Sequence, residues 1–218
     1  MHPLSLLPDK KAPLNVLCVG AHSDDIEIGC GATLLRLQEE YPALHVDWVV
    51  FSGNEKRAKE ARESAKRFLR KAGSKNIVTK TFRDGFFPSH WAEIKDVFEE
   101  LKGTTQPDLV FTHYRDDLHQ DHRVLSELAR NTWRSHLILE YEIMKYDGDL
   151  GRPNVFVPVT QKQLDAKIKI LLECFPTQAS KHWFDRETFR ALPRLRGMEC
   201  NAPTRFAEAF YGNKLRLF

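Results

Sequence analysis

The sequence predicts a single α/β domain, a doubly wound, mainly parallel, Rossmann-like sheet followed by a less regular C-terminal third. Three observations predict it. Short apolar, β-branched runs alternate with amphipathic helical patterns over the first two-thirds of the chain, which is the pattern of βαβ units. The 218 residues suit one domain, long enough to bury a core without disulfides or metal staples. No internal repeat or low-complexity tract interrupts the alternation. One domain is therefore expected over 1–218. Its first 13 residues, MHPLSLLPDKKAP, read as an arm, because they lack the charged start and apolar stretch of a signal peptide.

Asn15–Gly20 (NVLCVG) is a buried strand ending in glycine, and Gly29–Glu40 a helix with Ala32, Leu34, Leu35 and Leu37. His45–Phe51 is the second strand. Lys56–Ala72 sets Ala58, Ala61, Ala65, Phe68, Leu69 and Ala72 three and four apart, an amphipathic helix closed by Gly73. Asn76–Phe82 is the third strand, Trp91–Leu101 the third helix, Asp108–Thr112 the fourth strand and Asp121–Trp133 the fourth helix. Leu137–Met144 and Asn154–Pro158 read as strands around a DGDLG turn, and Gln161–Cys174 as a helix. After Pro176 the chain reads as Arg- and Phe-rich turns, and Ala207–Tyr211 fits a strand or a helical turn equally. Right-handed crossovers make strands one and four neighbours at the switch point, where ligands bind beyond the carboxyl ends. The loops after Gly20 and Thr112 are thus expected to meet.

A formal net charge of +3 argues against the strongly basic footprint of a nucleic-acid partner. Cys18, Cys30, Cys174 and Cys200 form no C-x-x-C pair and read as reduced thiols, which points to the cytoplasm. No apolar run approaches the ~20 residues of a membrane span. A homo-oligomer is left open.

Two histidine–carboxylate clusters follow strands one and four: AHSDDIE (Ala21–Glu27) and HYRDDLHQDH (His113–His122). A catalytic metal takes three protein ligands and keeps a position for water, and imidazole with carboxylate suits zinc. His22 and Asp25, three residues apart on a tight turn, reach one point, and a third ligand from the other loop closes the set. Asp24, beside a ligand but directed differently, suits a general base. The plain alternative for Asp24 and Asp25 is helix N-capping; for His119 and His122 it is exposure at a helix start. His113 reads as a hydrogen-bonding loop residue. Trp91, Trp183, Phe86 and Phe87 read as core rather than sugar contacts.

AHSDDIEIGCGAT resembles the A-H-P-D-D-E signature of the LmbE-like, or PIG-L, family of deacetylases. DLHQDH (Asp117–His122) is similar to that family's D-x-H-x-D-H motif. Arg57-x-x-Glu60, VFVPVT and AEAF are similar to weaker family features. The resemblance implies one Zn²⁺ per chain, held by His22, Asp25 and His122. It implies Asp24 as general base, His119 as the group that stabilises the oxyanion or protonates the leaving amine, Asp121 as the residue that orients His119, and Arg57 as a substrate contact. Ser23 stands where the family has proline, without removing a ligand. The implied reaction removes an acetyl group from an N-acetylated amino sugar or its conjugate. A conjugate amidase of the same family remains an alternative. A non-haem Fe(II) oxygenase uses a similar triad but has no need of Asp24. A dinucleotide-binding module would need the G-x-G-x-x-G that Gly20, Gly29 and Gly31 do not make. A catalytically silent metal scaffold is the fourth reading.

Overall fold

The computed structural model describes residues 7–215, so positions 1–6 of the expected arm lie outside the described residues. In chain order the elements are β1 (Leu14–Gly20), α1 (Asp25–Glu40), β2 (Leu44–Ser52), α2 (Glu55–Phe68), β3 (Ser74–Phe82), α3 (Trp91–Thr104), β4 (Leu109–His113), α4 (Gln120–Thr132), β5 (Leu137–Tyr141), β6 (Val155–Val159), α5 (Gln161–Cys174), α6 (Arg186–Glu199) and β7 (Phe206–Gly212). Single 3-10 turns cover Phe87–His90 and Pro176–Gln178. The strands form one seven-stranded sheet in the order β3-β2-β1-β4-β5-β7-β6.

The first five strands run parallel. Their apolar residues alternate between two cores, as a strand's two-residue period requires. Val16 and Cys18 of β1 face the core shared with α1, α2 and α5, whereas Leu17 and Val19 face the core shared with α3 and α4. Helices on both faces explain why β1 reads as a continuous apolar run. β1 pairs with both β2 and β4, so the chain changes direction across the sheet there. The expected meeting of the two loops follows: the Ala21 N–H donates to His113 Nε2 at 2.9 Å.

The C-terminal third is more regular than its residues suggest. The segment 207–211 lies in a strand, and β7 runs antiparallel to both β5 and β6 between them. The stretch expected to be turns contains α6, a 14-residue helix with Pro193 inside it. Asp185 caps it by accepting the Thr188 N–H at 2.7 Å. Its Gly197 packs onto the Arg205 backbone, where a Cβ would come within 2.2 Å of a carbonyl oxygen.

Two features fix α1, which begins inside the first motif. Gly29 lies against Tyr141, whose ring would meet an added Cβ at 2.2 Å, and the Tyr141 hydroxyl is fixed by donating to the Val19 carbonyl at 2.7 Å. Gly29→Ala is therefore expected to overpack this contact and cost about 1–3 kcal/mol, read as a lowered urea midpoint at unchanged slope. The second feature is a buried ion pair set into the helix. Glu208 of β7 accepts the backbone N–H groups of Ala32 at 2.9 Å and Thr33 at 2.6 Å. Lys167 of α5 reaches Glu208 and the Ile28 carbonyl, each at 2.6 Å. Both side chains are nearly inaccessible, and each buried charge is compensated by its partner and by backbone groups.

Candidate active site

The site lies at the carboxyl edge of β1 and β4. Three atoms converge there: His22 Nδ1 and His122 Nε2 are 3.1 Å apart, His22 Nδ1 and Asp25 Oδ2 3.3 Å, and His122 Nε2 and Asp25 Oδ2 3.5 Å. Tetrahedral ligands at the usual zinc distances lie ~3.3 Å from one another, so this triangle has the dimensions of one face of a metal site. Asp25 and His122 are buried, and both stand on helix ends packed onto the sheet. His122 is held from behind, its Nδ1 hydrogen-bonded to Asp117 Oδ2 at 3.0 Å. That fixes the ring and leaves Nε2 facing the triangle, the usual arrangement around a metal-binding histidine.

Electrostatics favour a cation at this point. Burial opposes charge on His22, but Asp25, Asp121 and Asp84 outweigh it and raise its pKa well above the ordinary range. Burial, with His113 beside it, pushes His122 down to about 4, so its lone pair is free. Burial would raise Asp25, but His122, His22 and His113 hold it well below the usual carboxylate range. Asp25 is thus an anionic carboxylate and His122 a neutral imidazole, while the carboxylates around His22 favour positive charge at that point. Three other groupings of His and Asp atoms lie close together among the described residues, His22–His119–His122, Asp25–His113–His122 and His22–Asp84–His119–Asp121. His113 is already occupied, because its Nε2 accepts the Ala21 N–H. Asp121 is also committed, as its carboxylate accepts the N–H groups of Gly85 at 2.6 Å and Phe87 at 3.1 Å. Asp25 Oδ2 likewise accepts the His22 N–H at 2.6 Å, and His22, Asp25 and His122 are residues that could together hold a divalent ion.

Asp24 occupies the cap position of α1 but makes no capping bond, so capping does not account for it. Its Oδ1 instead accepts from Arg57 Nη2 at 2.7 Å. Asn54 caps α2 by accepting the Arg57 N–H, which places Arg57 in the first turn over the sheet edge. Its Nη1 reaches Thr177 at 3.2 Å. The guanidinium expected to contact substrate is therefore engaged by Asp24 and Thr177. Thr177 is held in turn by Glu60, which accepts its N–H and hydroxyl. Burial raises the Asp24 pKa, against the pull of Arg57.

His119 caps α4, with its Nδ1 accepting the Asp121 N–H at 3.2 Å. An amide nitrogen only donates, so a neutral His119 ring carries its proton on Nε2. Burial, together with His22, lowers the His119 pKa, favouring that neutral form. Asp121 orients His119 through the backbone; its carboxylate points instead to His22 Nε2 at 3.3 Å. Asp84, whose Oδ1 lies 3.1 Å from the same nitrogen, and Asp117 are site residues that sequence reasoning did not assign. Asp117 lay inside the quoted second motif. Asp84 stands in an Asp-Gly turn after β3, and only its place at the carboxyl edge hinted at a role. His113, expected to bond within its own loop, ends β4 and instead accepts from Ala21 of the other motif loop; Phe87 is core, but Phe86 and Trp91 are exposed.

An α/β domain with this cluster at its switch point has the plan of a hydrolase whose residues can hold a metal. Residues 17–133, more than half of the chain, match the family model PIG-L: GlcNAc-PI de-N-acetylase. The chain belongs to the PIG-L family and is an amidohydrolase of the deacetylase type. It is 27% identical to an uncharacterized deacetylase, YaiS, of Escherichia coli K12, over 77% of this chain and 94% of that one. The fold is similar to N,N'-diacetylchitobiose deacetylase from Pyrococcus horikoshii (TM-score 0.67, 24% identity, 91% of this chain and 83% of that one). It is equally similar to GalB, the 4-carboxy-2-hydroxymuconate hydratase from Pseudomonas putida KT2440 (TM-score 0.69, 18% identity, 94% and 98%). A fold shared by a deacetylase and a hydratase does not choose the reaction; the side chains at the site must.

Proposed function

We propose that this enzyme removes the acetyl group from an N-acetylated amino sugar, free or conjugated, using one Zn²⁺ held by His22, Asp25 and His122. The observation that carries the reading is the triangle of 3.1–3.5 Å between their three ligand atoms, with Asp24 beside it. A divalent ion at such a position lowers the pKa of bound water from 15.7 to roughly 7. Asp24 takes the proton from the attacking water. Its Oδ1 is spent on Arg57, which leaves Oδ2 for that proton. Arg57 keeps the carboxylate aimed and opposes the rise in its pKa that burial causes, and presents its remaining exposed edge, 17% of the side chain, to the substrate. His119, through the Nε2–H that its cap bond dictates, donates to the developing oxyanion or to the leaving nitrogen. Asp121 places His119 by its backbone N–H and holds His22 by its carboxylate.

An oxygenase reading has nothing comparable in its favour, because Asp24 with Arg57 is equipment for proton transfer. No described helix is long and apolar enough to cross a membrane. All four cysteines are free and buried, which suits the reducing cytoplasm we assign to the protein. The test is a panel of N-acetyl amino sugars and their conjugates, incubated with zinc-loaded protein and assayed for primary amine and acetate. Equal amounts of both are expected from at least one amino-sugar substrate. Metal-loaded protein that releases neither from any of them, or that consumes oxygen, would remove this assignment.

A further inference from the structure

We propose that Lys145 is a positioning residue for both histidines of the second motif, acting through Asp117. The inference rests on the metal reading above. Asp117 is buried, and its two oxygens serve different histidines. Oδ1 accepts the backbone N–H of His119 at 2.8 Å, and Oδ2 accepts from His122 Nδ1 at 3.0 Å. One carboxylate therefore sets the ring of a metal-binding residue and the backbone of the proposed proton donor.

Lys145 lies on the long connection after β5 and touches neither histidine. Its Nζ sits 2.9 Å from the same Asp117 Oδ2. It is fixed on its other side by an ion pair with Asp149, whose carboxylate also accepts the Leu118 N–H at 2.7 Å. The connection after β5 is thus fastened to the loop after β4 at two points, the Asp117 carboxylate and the Leu118 N–H. Arg123 adds a third tie from α4, donating to the Asp117 and Leu118 carbonyls at 2.9 and 2.6 Å. Among these, only Lys145 gives the Asp117 carboxylate a cation.

That counter-charge decides where the carboxylate stays. A carboxylate out of water is costly unless it is paired. Without Lys145, Asp117 gains by turning toward water, and the His122 ring and His119 N–H lose their common anchor. Loss of an outer partner of a metal-binding histidine typically costs about 10–100-fold in metal affinity. A mere loop staple would behave differently: its loss would lower stability and leave the metal environment alone.

The experiment uses full-length protein stripped of metal and reloaded with Co²⁺, whose visible absorption reports the geometry of its ligands. Affinity is read by competition with a chromophoric chelator. Lys145→Met is expected to weaken binding about 10–100-fold and to alter the cobalt spectrum. Lys145→Arg, which keeps the charge and a donor, is expected to recover most of both. Thermal unfolding of the metal-free proteins separates loss of fold from loss of positioning. Where Lys145→Met does not fold, Asp149→Asn carries the test, with a smaller change in the same direction. Wild-type affinity and an unchanged cobalt spectrum in the folded variant overturn the proposal, as does a defect that Lys145→Arg fails to repair. Wild-type protein that takes up no metal overturns the metal centre itself, and this inference with it.

Discussion

An Asp24→Asn protein is expected to load metal as the wild type does and to turn over about 10²–10⁴-fold more slowly, the usual cost of losing a general base. The carboxamide keeps the size of the side chain and an oxygen for Arg57 Nη2, which now donates to Asp24 Oδ1 at 2.7 Å. What it loses is the ability to accept a proton. The loss should therefore fall on kcat, with KM little changed, because the interaction is made only as the water is deprotonated. Metal content measured on the same preparation keeps the two roles apart. Wild-type turnover would move the base elsewhere. The next candidate would be Asp84, whose carboxylate is 74% exposed and lies 3.1 Å from His22 Nε2.

His22→Ala should have the larger effect, lowering bound metal well below one per chain and turnover to background. The substitution removes one corner of the triangle and leaves two ligands where three are needed for a catalytic site. It also leaves the Asp25, Asp84 and Asp121 carboxylates facing one another without the imidazole between them. Elemental analysis alongside circular dichroism gives the result. A full complement of metal in a folded His22→Ala protein would take His22 out of the metal site.

The parallel half of the fold was readable from residues because its strands are short, apolar and separated by helices of clear period. The switch point followed from connectivity alone, and with it the meeting of the two motif loops. The remainder was hidden for physical reasons. The run 207–211 is buried almost throughout, so it shows no alternation from which a strand could be told from a helical turn. Pro193 and the arginines of α6 imitate a turn-rich tail, although Phe189 and Arg196 are inward. Within the site, residue types were legible but directions were not. Asp121 was expected to hold the ring of His119, yet its carboxylate turns to His22, while Arg57 turns to Asp24. Asp149 lies in, and Lys145 just before, what reads as a plain DGDLG turn, and nothing short of the assembled loops reveals their link to Asp117.

The ion pair set into α1 bears on how the chain matures during synthesis. The Thr33 N–H and the carboxylate that receives it are separated by 175 residues. At the ~5–20 residues per second of translation, α1 waits about 9–35 s for that partner. Until β7 is in place, the middle of the helix holds two donors turned toward an absent acceptor, and the Lys167 ammonium has no counter-ion. α1 therefore lacks this brace until the residues of β7 have been made, and Asp25 is its first residue. A nascent chain carries all the chemistry-bearing residues of both motifs long before it holds them in place.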